Sequence, residues 1–407
     1  MEIRQSRKLN HVAYDVRGPV LEEAMRLEAA GERILRLNIG NPAPFGFEAP
    51  GDILHDMIAT LPGAHGYSDA KGILPARRAV VDYHRGKGVE GIDLEDVWLG
   101  NGVSELISMS LQALLDDGDE LLLPSPDYPL WTAVATLAGG KPVHYACDEV
   151  SGWLPDLADI ESKVTARTVG LVIINPNNPT GAVYPRELLE GLVEIARRHQ
   201  LVLFSDEIYD QIIYDDAKHV ATAALAPDVL CVTFNGLSKA YRVAGYRAAW
   251  AVVSGPRQHA TSYLEGLTIL ANMRLCANVP GQYAVATALG DGPRSIHDLT
   301  LPGGRLHAQR DLTWELLSQI EGVSCVKPSG AVYCFPRLDP KIHKVDDDEA
   351  LVLDLVRQER VLVVHGRGFN HPRPDHFRIV TLPNLADLGD AVTRIGSFLD
   401  RRRLAAG

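Results

Sequence analysis

Short apolar runs rich in β-branched residues recur through the middle of the chain, each bounded by Gly, Pro, Asn or Asp. They are Glu120–Leu123, Val169–Ile174, Leu201–Phe204, Val229–Phe234 and Ala249–Val253. Helical patterns separate several of them, notably Val103–Leu115 and Pro185–His199. Strands that alternate with helices have few ways to pair, because a parallel neighbour is reached only through a long crossover. Runs such as Gly170–Ile174 are apolar throughout, as strands buried on both faces must be. The chain is therefore expected to be α/β, with a mostly parallel sheet and helices on both faces.

A chain of 407 residues with 46% hydrophobic content is too long for one average domain and can bury a large core. The pattern changes after about Gly292. Long helical stretches, Gly304–Ile320 and Asp346–Glu359, alternate there with short strand candidates at Val332–Phe335, Val361–Val364 and Phe377–Val380. This reads as a smaller α+β domain. The first residues do not fit the alternating block. The expected division is 1–50 as an N-terminal arm and part of the small domain, 51–292 as the large domain, and 293–407 as the small C-terminal domain. Only Arg401–Gly407 is open to being disordered.

A formal charge of −12 disfavours nucleic acid and anionic lipid as partners, so an anionic substrate must meet local arginines. The five cysteines are odd in number and none sits in a C-x-x-C pair. Neither a disulfide framework nor a metal site is expected. Met1–Asn10 has no apolar signal core, and no stretch reaches the roughly 18 apolar residues that span a bilayer. A cytoplasmic location is expected.

Four local features carry chemistry, and each has an ordinary reading when taken alone. Asn101-Gly102-Val103-Ser104-Glu105 is a turn entering an amphipathic helix. It is either a plain helix start or a phosphate cradle built from free N–H groups and the helix dipole. Asn175-Pro176-Asn177-Asn178-Pro179-Thr180-Gly181 follows a buried strand, where ligands of α/β sheets sit. It is either a turn or a loop whose asparagine bonds a ligand's phenolic oxygen. Asp206 ends another apolar strand, where an unpaired carboxylate is costly. It either caps a following helix or meets a protonated ring nitrogen. Lys239 comes just after a strand and eight residues before Arg247. Desolvation would lower the lysine's pKa and suit covalent chemistry, and Arg247 could fork onto phosphate. The plain alternative is a surface pair.

Together the four features fall in order on successive strand ends. The combination resembles the fold-type I, class I/II aminotransferases over essentially the whole chain. It is most similar to the bacterial glutamate–pyruvate (alanine) aminotransferases, through Leu37-Asn38-Ile39-Gly40-Asn41-Pro42-Ala43-Pro44-Phe45-Gly46-Phe47 and Asn235–Arg247. The resemblance implies pyridoxal 5′-phosphate (PLP) as cofactor. It makes Lys239 the covalent anchor and the general base and acid, with Asp206 holding the ring nitrogen protonated. Asn178 and Tyr209 would bond the ring oxygen, and Tyr128 would stack on the ring. Val103, Ser104, Ser238 and Arg247 would surround the phosphate. Tyr67 matches a tyrosine that reaches the neighbouring subunit's phosphate, which implies a homodimer with shared sites. Arg378 and the backbone at Gly40 would take the substrate α-carboxylate. One position departs from the pattern: Gly236 stands where many relatives have a phosphate-binding serine, three residues before the lysine.

The expected reaction is amino transfer between L-alanine/pyruvate and L-glutamate/2-oxoglutarate. Transfer from aspartate, valine or aromatic amino acids, a C–S lyase, and a regulator that keeps the fold as a sensor remain alternatives. Tyr14-Asp15-Val16-Arg17-Gly18-Pro19 precedes a helix starting near Pro19 and is expected to close over the substrate. There Tyr14 would lie near the substrate, and Arg17 would either read the distal carboxylate of glutamate or, as a surface arginine, tie the arm to the small domain.

Overall fold

The computed structural model describes residues 3–12, 18–290 and 296–406. A helix at Pro19–Ala29 leads to the short strand β1 (Leu35–Arg36). The next strands are β2 (Val97–Gly100), β3 (Glu120–Ser125), β4 (Lys141–Asp148) and β5 (Leu154–Pro155). Then follow β6 (Thr168–Ile174), β7 (Val202–Asp206), β8 (Cys231–Gly236) and β9 (Ala249–Ser254).

Strands β2 to β9 form one eight-stranded sheet in the order β2-β9-β8-β7-β6-β3-β4-β5. Neighbours from β8 through β7, β6 and β3 to β4 are parallel. The exceptions are β9, which is antiparallel to both β2 and β8, and the edge strand β5. Leu171, Val172, Ile173 and Ile174 of β6 are all buried, as a strand covered on both faces requires. The helix Arg186–His199 buries Leu189, Leu192, Val193, Ile195 and Ala196 on one face and leaves its arginines at the rim.

The C-terminal part adds β10 (Val323–Ser324), β11 (Tyr333–Cys334), β12 (Arg337–Leu338), β13 (Val361–Leu362), β14 (Val364–His365) and β15 (Phe377–Val380). Strand β15 lies between β11 and β14, antiparallel to both. The N-terminal segment joins this part: β1 runs parallel to β13, with Leu35 opposite Val361. One apolar cluster gathers Val20, Leu27, Leu35 and Leu37 with Leu355, Val361, Ile379 and Ile395. Residues 401–406 are helical, contrary to the expectation for them. The helix Leu385–Ala406 runs through them because Phe398 and Leu399 are buried, and Arg401 and Arg402 pair with Glu359 and Asp354. Among the described residues, no helix is long and apolar enough to cross a membrane.

Candidate active site

Strands β2, β3, β6, β7 and β8 point the same way, so the segments after them emerge along one edge of the sheet. A cavity of about 310 Å³ opens at that edge. It is lined by Val103, Ser104, Tyr128, Asn178, Asp206, Tyr209, Ser238, Lys239 and Arg247, and from the other part of the molecule by Gly40 and Arg378. Eleven residues spread over more than 300 positions of sequence thus share one pocket. Tyr67 does not line it, and its side chain stands 81% exposed on the surface. Tyr14 and Arg17 lie outside the described residues.

One end of the cavity is built for an anion. The helix Val103–Leu114 starts there after Gly102, which has no side chain to cap it. Its first N–H groups and the positive end of its dipole face the pocket. Gly102 has φ +93°, and a Cβ at this position would run into the Arg247 guanidinium. Only glycine both takes that backbone and lets the guanidinium come so near. Arg247 is steadied by donating from Nη1 to the Ala244 carbonyl at 2.8 Å and from Nη2 to the Asn101 carbonyl at 3.2 Å. Gly236 has a packing reason. A Cβ there would come within 2.8 Å of the Ala249 Cβ and 2.9 Å of the Ala248 carbonyl oxygen. The close approach of β9 leaves no room for serine. Ser238 is half-buried and lines the cavity.

Asp206 closes the opposite end. It is 3% exposed and accepts bonds from Trp131 Nε1 and the Ile208 N–H, both at 3.3 Å. No helix follows for it to cap. Burial pushes its carboxyl up to about 6, against the two donors and the attraction of Lys239. Such a carboxylate is poised to gain from a cation. The Lys239 amine donates to the Gly40 carbonyl at 2.6 Å and so bridges the two parts of the molecule.

Arg378 on β15 donates from Nη1 to Asn178 Oδ1 at 2.9 Å and from Nη2 to the Asn38 carbonyl. The rings of Tyr333 and Phe369 hold its guanidinium between them, each centroid 4.4 Å away. Tyr333 is a member of the site that sequence reasoning missed. Its hydroxyl lies 2.5 Å from that of Tyr209, and a Cβ on Gly40 would collide with it. The signal available was a tyrosine on the buried stretch Ala331–Phe335, where a phenol needs a polar partner. Burial and the facing Tyr333 hold the Tyr209 hydroxyl well above its usual pKa, so it stays protonated.

The chain matches the family model for class I and II aminotransferases over residues 32–395. It is 64% identical over 396 residues to the alanine aminotransferase of Mycobacterium tuberculosis, covering 97% of this chain and 92% of that one. It is 58% identical over 397 residues to the glutamate-pyruvate aminotransferase AlaA of Escherichia coli, covering 98% of each. A crystal structure of an aminotransferase from Escherichia coli superposes with a TM-score of 0.97 at 58% identity, covering 98% of this chain and 99% of that one.

Proposed function

Because the chain belongs to the class I and II aminotransferases, we propose that it moves an amino group between L-alanine/pyruvate and L-glutamate/2-oxoglutarate, using PLP. The observation that carries this reading is the meeting of Lys239, Asp206 and Arg378 in one cavity. They supply an amine for proton transfer, a buried carboxylate that wants a cation, and a fixed guanidinium for a carboxylate. The choice of alanine and glutamate rests on the names borne by the bacterial relatives.

The residues present fit PLP. The Gly102 cradle, the helix start and Arg247 suit a dianionic phosphate. Asp206, pushed up by burial, suits a protonated ring nitrogen. Asn178 and the protonated Tyr209 suit the ring oxygen, Tyr128 a ring face, and the Lys239 amine the aldehyde carbon. Bound there, PLP supplies an electron sink for negative charge developing at the substrate Cα, and a carbon that carries the amino group between substrates.

The chain's own groups do the rest. Arg378 forks onto the α-carboxylate and, with the Gly40 backbone, fixes which bond at Cα stands toward Lys239. Lys239, leaving the Gly40 carbonyl, takes the Cα proton as a base and returns it as an acid. Asp206 would hold a proton on the cofactor's ring nitrogen. The Tyr333 hydroxyl steers Tyr209. The same groups serve the second oxo acid in reverse, which gives a ping-pong cycle. Adding L-alanine alone to the purified holoenzyme should bleach the cofactor's visible band and release one pyruvate per site. A band indifferent to L-alanine and L-glutamate would overturn the reading.

Tyr333→Phe removes the hydroxyl that positions Tyr209. A hydrogen bond of about 0.5–1.5 kcal/mol corresponds to roughly a two- to tenfold fall in kcat. Stopped-flow measurement of the alanine half-reaction checks this, and an unchanged rate would remove Tyr333 from the machinery.

The same reading divides the chain into a large PLP-binding domain over 51–292 and a smaller one from 1–50 and 293–407. It also makes the protein a homodimer whose exposed Tyr67 completes the partner's phosphate site. Co-expressing Lys239→Ala with Tyr67→Phe then forms heterodimers with one intact site. With random pairing of subunits, activity should recover to about a quarter of wild type. If Tyr67→Phe alone is strongly inactive and the mixture stays inactive, the site is not shared.

A further inference from the structure

Just before β15, His371, Asp375 and His376 form a buried cluster that does not line the cavity. We propose that it is a binding site for a divalent transition-metal ion of the zinc type. His376 Nδ1 lies 2.7 Å from Asp375 Oδ1 and 3.1 Å from His371 Nε2, and the last two atoms are 3.9 Å apart.

Hydrogen bonds link these three atoms, but the central nitrogen has one position to offer and two neighbours that call on it. A neutral imidazole has one N–H and one lone pair. If His376 Nδ1 is protonated and donates to Asp375, His371 Nε2 must offer a lone pair to the same hydrogen. That tautomer, with the His371 proton on the buried Nδ1, is also the one in which Nε2 can ligate a cation. If His376 Nδ1 instead accepts from His371, its lone pair faces the Asp375 carboxylate. With the protons on His371 Nδ1 and His376 Nε2, the two facing nitrogens and Asp375 Oδ1 all offer lone pairs, which is what a cation takes. A point equidistant from the three atoms lies about 2.0 Å from each, which matches zinc–nitrogen and zinc–oxygen bonds of about 2.0–2.2 Å.

The outer groups are also those of a metal site. Glu149 Oε2 faces His376 Nε2 from 3.7 Å, and Asp375 Oδ2 faces Arg337 Nε at 3.3 Å and Arg373 Nε at 3.5 Å. At 3.7 Å Glu149 acts on His376 through its charge rather than a hydrogen bond, which favours a proton on Nε2 and a lone pair on Nδ1, while Arg337 directs the ligating carboxylate. The rings are held as well. His376 stacks on Phe335 with centroids 4.9 Å apart, and His371 meets Trp153 edge-on at 5.8 Å. Two imidazoles and one carboxylate favour zinc, cobalt or nickel over magnesium or calcium, and leave positions open for water. The ion would fasten the segment from His371 to His376, two residues before Arg378.

Titration of metal-free holoenzyme with zinc chloride, with zinc counted by elemental analysis, tests this. Wild type should retain one zinc per chain and melt at a higher temperature with zinc than without. His371→Phe, which keeps the ring packing, and Asp375→Asn should each weaken zinc binding by at least about tenfold and lose the thermal shift. Cobalt substitution should give visible d–d bands in wild type alone. A wild type that takes up no zinc, or variants that both bind it as tightly as wild type, would leave the cluster as a hydrogen-bonded relay only. If one variant fails to fold, the other decides.

Discussion

Replacing Lys239 with alanine is expected to lower multiple-turnover transamination by at least about a thousandfold, since general acid–base catalysis alone contributes roughly 10²–10⁴. The variant should still take up PLP, because Arg247, the helix start at Val103 and Asp206 are untouched. Uptake without turnover separates a lost reactive amine from a lost fold. Lys239→Arg should not rescue, because a guanidinium keeps the charge but does not give up its proton. The Lys239 amine donates to the Gly40 carbonyl at 2.6 Å and so lies beside the backbone proposed to hold the substrate. Near-normal turnover in Lys239→Ala, measured with L-alanine and 2-oxoglutarate, would mean that another group carries the proton.

Asp206→Ala is expected to reduce kcat by about 10²-fold or more while changing KM for the amino acid much less. The interaction strengthens as negative charge develops at Cα, so its loss falls on the transition state rather than on binding. A raised KM with unchanged kcat would contradict this role. A second signature belongs to the cofactor-free protein. The carboxyl is pushed up to about 6 by burial from its usual 3.8. A raised folded-state pKa favours folding below pH 4 and loses that contribution as pH rises through about 6. The apoprotein should therefore lose on the order of 3 kcal/mol of stability from this group between those limits. Asp206→Asn should flatten that slope, and denaturation across pH 4–7 reads it out.

Much of this site was legible because of how a parallel sheet works. Each polar residue after an apolar run, from Asn178 to Asp206 to Lys239, had to fall on the same edge once the strands ran parallel. Arg378 was legible only through resemblance. The contacts that hold it reach the Asn38 carbonyl 340 positions away and two rings, Tyr333 and Phe369, that no local pattern connects. Tyr333 escaped for the same reason: its role comes from facing Tyr209 across 124 positions of sequence.

Strand β4 was not singled out, because it lies near the edge of the sheet and its Lys141–His144 half is not buried. The β9 direction was hidden too, since Ala249–Ser254 is as fully buried as its parallel neighbours and apolarity does not encode polarity of the chain. Sequence spacing set the start of β8 two residues early, at Val229 rather than Cys231, because Val229 and Leu230 are apolar loop residues packed under the sheet. For residues 401–406 the reading as open to disorder failed on composition. A run of arginines looks solvated, but here Arg401 and Arg402 find acidic partners along a helix anchored by Phe398.

This cavity is proposed to transaminate alanine and glutamate. The most direct measurement is kcat/KM of the purified holoenzyme for a panel of amino donors, each assayed with pyruvate or 2-oxoglutarate as acceptor. L-Alanine with 2-oxoglutarate and L-glutamate with pyruvate should exceed L-aspartate, L-valine and L-phenylalanine by at least about tenfold, the lower range of what pocket contacts discriminate. A preference for aspartate, valine or an aromatic donor would contradict the account.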